Sequence, residues 1–108
     1  MDELIDKSVF RSDKETLASI KNLLAGMPVK RAYLFGSRAR GDATPESNWD
    51  ILVDLKEEAT LFDLAQMHIT MENSVAHKVD IVSSGGVRLR IWPYINADKI
   101  LIYKEKNS

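Results

Sequence analysis

Two short runs constrain this chain more than anything else in it: Leu34-Phe35-Gly36-Ser37-Arg38-Ala39-Arg40-Gly41 and, after a polar stretch, Ser47-Asn48-Trp49-Asp50-Ile51-Leu52-Val53. The first reads as the end of a strand followed by a turn of small and basic residues. The second reads as an acid opening an apolar strand. Side chains alternate faces along a strand, so positions 48 and 50 share one face and positions 49 and 51 the other. Strands that end in this way set a turn suited to an anion beside a carboxylate suited to a cation.

The flanking sequence supplies the frame. Ser12 reads as a helix cap, with Glu15 completing a capping box. Leu17, Ile20, Leu23 and Leu24 follow at helical spacing until Gly26 ends the helix and Pro28 keeps it from resuming. Residues 30–35 read as a strand, Gly36-Ser37 as its turn, and 38–47 as a polar loop. A second strand over 49–55 has a nearly continuous apolar centre, which implies cover on both faces. Thr60 caps a helix over 61–75 with Leu61, Leu64, Met67 or His68, Met71 and Val75 along one stripe. Residues 78–82 form a short third strand, and Gly85-Gly86 turns the chain. Residues 87–97 read as helical, kinked or ended by Pro93, and Leu101-Ile102-Tyr103 as a last strand. This order implies an α/β (α+β) fold: one small mixed sheet of three to four strands with helices packed on it. Residues 1–108 read as one domain, with 1–11 and 104–108 as partly disordered flanks.

Composition bounds the chemistry. A length of 108 residues and 44% hydrophobic residues allow one modest core. The net charge of −1 supplies no global field for nucleic acid, so direct nucleic-acid binding is not expected and any nucleotide contact must be local. The absence of cysteine excludes disulfides and thiolate metal sites. No stretch approaches the ~20 apolar residues of a membrane span, and residues 1–10 lack the order of a signal peptide. The expected location is cytoplasmic.

Each candidate residue carries two readings at this point. Gly36 and Ser37 grip an anion through backbone N–H groups and a hydroxyl, with Arg38 and Arg40 adding charge, or they make an ordinary strand exit with solvated arginines. Asp50 is a ligand for a hard divalent cation, with Asn48 two residues before it offering a neutral amide oxygen, or it is a solvated acid at a strand start. Asp80, inside Val79-Asp80-Ile81-Val82, is a third ligand or a general base, or it faces water from an edge strand. Asp54 reads as surface, Asp42 and Glu46 as loop acids, His68 as a packed or partly exposed helix residue and His77 as exposed. Arg88 and Arg90 read as a solvated helix face rather than phosphate contacts. Trp92, Tyr94 and Ile95 are core residues or a patch for a partner protein.

Together, Gly36-Ser37, a loop of about ten residues, Asn48-x-Asp50 and Asp80 on a later strand resemble the minimal nucleotidyltransferases of the DNA polymerase beta-like superfamily, over about residues 30–103. The resemblance implies two magnesium ions held at positions 48, 50 and 80 and ATP, or another nucleoside triphosphate, as substrate. It implies that Gly36, Ser37, Arg38 and Arg40 bind the nucleotide. Asp50 would bridge the metals and Asp80 would help deprotonate an acceptor hydroxyl that attacks the alpha phosphate. Small stand-alone members of this family resemble antitoxins that transfer AMP to a tyrosine of a HEPN ribonuclease toxin. The brevity of the chain, with no room for an acceptor-binding domain, supports that subgroup. A small-molecule or RNA nucleotidyltransferase subunit is a third class, which would need a helper chain.

Asn48 departs from the pattern, which has Asp there. Loss of one carboxylate beside dications removes several kcal/mol of raw Coulomb attraction. A barrier raised by about 3–4 kcal/mol costs two to three orders of magnitude in rate. One near-isosteric change in an otherwise intact motif resembles a deliberate inactivating substitution. The alternative is a natural pseudoenzyme that neutralises its partner by masking it.

Overall fold

The computed structural model describes residues 13–86 and 92–106. The 1–11 lead-in, the Ser12 cap, residues 87–91 with Arg88 and Arg90, and residues 107–108 lie outside the described residues.

Helix α1 (Asp13–Ala25) buries Thr16, Ile20 and Leu24, one residue per turn along a single stripe. Its first turn carries Asp13 and Glu15, which suit the positive end of the helix dipole. Strand β1 (Val29–Phe35) leads into a four-residue helical turn, α2 (Ser37–Arg40). The expected polar loop at 38–47 therefore begins later, because the Gly36 carbonyl accepts from the N–H groups of Ala39 and Arg40. Gly41, at φ 88°, closes that turn.

Strand β2 (Trp49–Leu55) and helix α3 (Leu61–Val75) fall where the sequence places them. Thr60 caps α3 as a reciprocal box: its hydroxyl accepts from the Asp63 N–H at 3.2 Å, and the Asp63 carboxylate accepts from the Thr60 N–H at 2.8 Å. Met67, Met71 and Val75 are buried, but Leu61, in the first turn of α3, is 79% exposed.

Strand β3 (Val79–Ser83), a 3-10 turn (Ser84–Gly86), helix α4 (Trp92–Asp98) and strand β4 (Ile100–Lys104) complete the order. Pro93 is the second residue of α4, a position that needs no intrahelical N–H bond. Lys104 belongs to β4, and Glu105 bonds Lys30 through its backbone and Lys56 through its side chain. The expected solvated tail thus gives up two residues to the sheet.

The sheet order is β3-β2-β1-β4. β1 runs antiparallel to β2 and to β4, whereas β2 and β3 are parallel, with α3 as the crossover between them. Ala32, Leu34, Trp49, Ile51, Val53, Val79 and Ile81 join the stripes of α1 and α3 in the main core. Leu52 faces the other way and is still buried. Helix α4 lies on that second face, because Lys99, the residue after it, stands 4.6 Å over the ring of Tyr33, the cross-strand partner of Leu52. Trp92, Tyr94 and Ile95 do not form one patch. Ile95 is buried, Tyr94 is exposed, and the ring of Trp92 lies 5.2 Å from the Lys99 ammonium.

Candidate active site

Asp50 and Asp80 are direct partners in the parallel ladder between β2 and β3. Partners in a ladder point to the same side, so the two carboxylates stand side by side on the α4 face, opposite the main core. β3 is an edge strand, and Asp80 is half-buried because its neighbour is the Asp50 strand. Asn48, just before β2, reaches the same point: its amide Nδ2 donates to Asp80 Oδ2 at 2.9 Å. The structure therefore gathers the three side chains that the sequence singles out.

Gly36 closes the site from β1. Its dihedrals, φ 77° and ψ −157°, lie in a region that essentially only glycine occupies. A Cβ at this position would collide with the Asp50 carboxylate. Glycine is needed here twice, for the backbone bend and for the close approach of Asp50. Ser37 follows at the start of α2.

The two arginines of the turn separate. Arg40 faces the acids: it donates to Asp98 at 2.8 Å and to Asp42 at 3.2 Å, and its charge is felt at Asp50. The Arg38 side chain is only 3% exposed. Its guanidinium lies 4.6 Å over the ring of Trp49, on the face opposite Asp50. It donates to the Ser47 carbonyl at 2.9 Å, to those of Thr44 and Pro45 at longer range, and to Asp13 at 2.8 Å. Sequence reasoning sets Arg38 beside the nucleotide; the structure uses it to tie down the loop that delivers Asn48.

Other candidates fall elsewhere. Asp54, read as a surface acid, is half-buried and accepts from Arg31 at 3.0 Å. His77, read as exposed, is half-buried and meets Trp49 edge-on at 6.4 Å between centroids. His68 lies 3.3 Å from Glu72, whose carboxylate also accepts from the Val79 N–H and is held below its ordinary pKa chiefly by that bond. Asp98 is the residue that sequence reasoning missed. It lies 58 positions from Arg40, at the end of a helix whose placement on the sheet no local pattern shows.

Burial first, and the adjacent Asp80 charge second, raise Asp50 above the ordinary carboxylate value, while Arg40 pulls it back. A carboxylate whose charge is disfavoured by burial and by an adjacent acid gains from a bound cation, and every donor at the site offers oxygen, which suits a hard divalent ion. Among the described residues, no group of three or more His, Cys, Asp or Glu is placed to hold a metal. The third donor is the neutral Asn48, whose nitrogen faces Asp80 and whose amide must turn over to present its oxygen. The residues fit a divalent cation with one charge fewer than three acids would give. No helix among the described residues is long and apolar enough to cross a membrane.

The comparisons with known proteins agree with this geometry. The family described as "Polymerase beta, Nucleotidyltransferase" matches residues 18–108. The "Putative protein adenylyltransferase MJ0435" of Methanocaldococcus jannaschii is 36% identical over 59 residues, which is 55% of this chain and 63% of the relative, so less than two thirds of that protein is spanned. A solved "putative minimal nucleotidyltransferase" superposes with a TM-score of 0.69 at 34% identity, covering 83% of this chain and 96% of its own. A chain from the complex of the MNT antitoxin with the tri-AMPylated HEPN toxin of Shewanella oneidensis shares the fold, with a TM-score of 0.68 at 14% identity, over 88% of this chain and 75% of its own. The family match runs through all four strands, and the chain belongs to the polymerase beta nucleotidyltransferase family.

Proposed function

We propose that this protein is an antitoxin-type adenylyltransferase. A hydroxyl of a partner HEPN toxin, in our reading a tyrosine hydroxyl, attacks the alpha phosphate of ATP, AMP is transferred and pyrophosphate leaves, with turnover impaired by Asn48. The observation that carries this reading is the in-register pair Asp50 and Asp80 beside the Gly36-Ser37 turn. The adenylyltransferase relative and the antitoxin of like fold support it.

Magnesium, when bound, would offset phosphate charge and make the acceptor hydroxyl more acidic. The chain itself supplies placement. Asp50, fixed against Gly36, would hold the cation nearest the turn. Ser37 and the turn backbone would hold the phosphate tail, with Arg40 at its flank. Asp80, on the edge strand β3, would accept the proton of an incoming hydroxyl. Asn48 interferes there, because its amide occupies Asp80 Oδ2, an oxygen needed for metal or proton.

That same hydrogen bond favours a second reading, a binding module that masks its partner while the cleft stays idle. Alpha-labelled ATP, magnesium and the purified toxin separate the two. The enzyme reading expects faint labelling of the toxin by this chain and strong labelling by the Asn48→Asp variant. A reverted protein that binds toxin and labels nothing leaves only the masking role.

A further inference from the structure

Asp98 is separated from the acid pair in sequence, yet its carboxylate takes Nη1 of Arg40 at 2.8 Å, while Asp42 takes Nε at 3.2 Å. Arg40 ends the turn that begins at Gly36-Ser37. It is the cation of that turn on the acid face, since Arg38 lies over Trp49 on the other side. Its side chain is 47% exposed, so the pairs are open to competition from solvent and ligand. Asp98 is the more sheltered partner, at 21% exposure. A carboxylate on a guanidinium occupies the donors that a phosphate oxygen would take.

We propose that Asp98 is a positioning residue of the nucleotide site: with Asp42 it keeps Arg40 paired until a polyphosphate displaces it. This rests on the nucleotidyl-transfer reading above and adds a selection by charge. A triphosphate tail outbids a single carboxylate, whereas an uncharged nucleoside offers Arg40 nothing. Helix α4 is thereby coupled to occupancy of the turn, because surrender of Arg40 frees the end of α4 from α2.

The test is ATP binding in magnesium by calorimetry, with adenosine as the uncharged comparison, on the full chain. Asp98→Asn is expected to tighten ATP about twofold to fivefold, the range of a partly exposed ion pair, and to leave adenosine unchanged. The gain is expected to vanish when Arg40→Gln is added, a dependence that a purely structural role for Asp98 would not produce. If Asp98→Asn melts early, Asp42→Asn on the exposed loop is expected to shift ATP in the same direction. Unchanged or weaker ATP binding by both variants, or a gain that survives Arg40→Gln, overturns the proposal while the nucleotidyl-transfer reading stands. Absence of ATP binding by every variant, wild type included, overturns both.

Discussion

The amide of Asn48 donates to the carboxylate of Asp80 at 2.9 Å, bridging the loop before β2 and the edge strand β3. A carboxylate at position 48 would replace that attraction with repulsion. The site would then depend on a cation for what the chain now supplies from its own atoms.

Asn48→Asp should therefore lose stability in a chelator and regain it with magnesium. Loss of a hydrogen bond to a charged group costs about 1.5–3 kcal/mol. Melting curves with and without magnesium read the difference. The same variant should gain two to three orders of magnitude in transfer rate, the equivalent of about 3–4 kcal/mol.

Asp50→Asn should stabilise the cation-free protein near neutral pH. The folded-state pKa of Asp50 lies above 3.8, so the unfolded chain releases this proton first. Stability is then lost as pH rises from 3.8 through the folded value, and it stays lost above it. The variant removes that penalty, and its advantage should close below pH 3.8. Like charges side by side on a sheet cost about 0.2–1 kcal/mol, a shift of a few degrees in a melt. Equal melting temperatures at pH 7 would count against the strain.

Gly36→Ala should be among the most damaging single changes. The φ of 77° with ψ of −157° costs a residue with a side chain about 1–3 kcal/mol, and the methyl group must also push the Asp50 carboxylate aside. Denaturant melts should show the loss, and ATP binding should fall with it.

Arg38→Met should destabilise the protein by about 2–3 kcal/mol, as charged hydrogen bonds to loop carbonyls are lost from a buried position. Arg38→Lys should recover little, since an ammonium cannot fork between Asp13 and the Ser47 carbonyl while lying flat on Trp49. If Arg38 served the nucleotide instead, ATP affinity would fall while melting stayed unchanged.

Much of this fold was legible because its signals are local. The apolar strand at 49–55, the Thr60 cap and the Gly36-Ser37 turn each announce themselves within a few residues. The meeting of Asp50 with Asp80 was one of two open readings of the residues until the resemblance favoured it, because no spacing rule pairs residues across a parallel crossover. The residues read as solvated and found packed share a cause. Asp54 and His77 carry polar groups that read as solvated in one dimension, and each finds a partner from another element: Arg31 and Trp49. Leu61 fails in the opposite sense, since periodicity does not show which turn of a helix meets the core.

The parallel pairing of β2 with β3 has a consequence for assembly. Contacts across such a crossover close a loop of chain, and that closure carries an entropic cost. The acid pair exists only once the outermost strand has docked. A divalent ion or nucleotide shared by Asp50 and Asp80 would thus act as a rivet between β2 and β3, linking occupancy to completion of the native state.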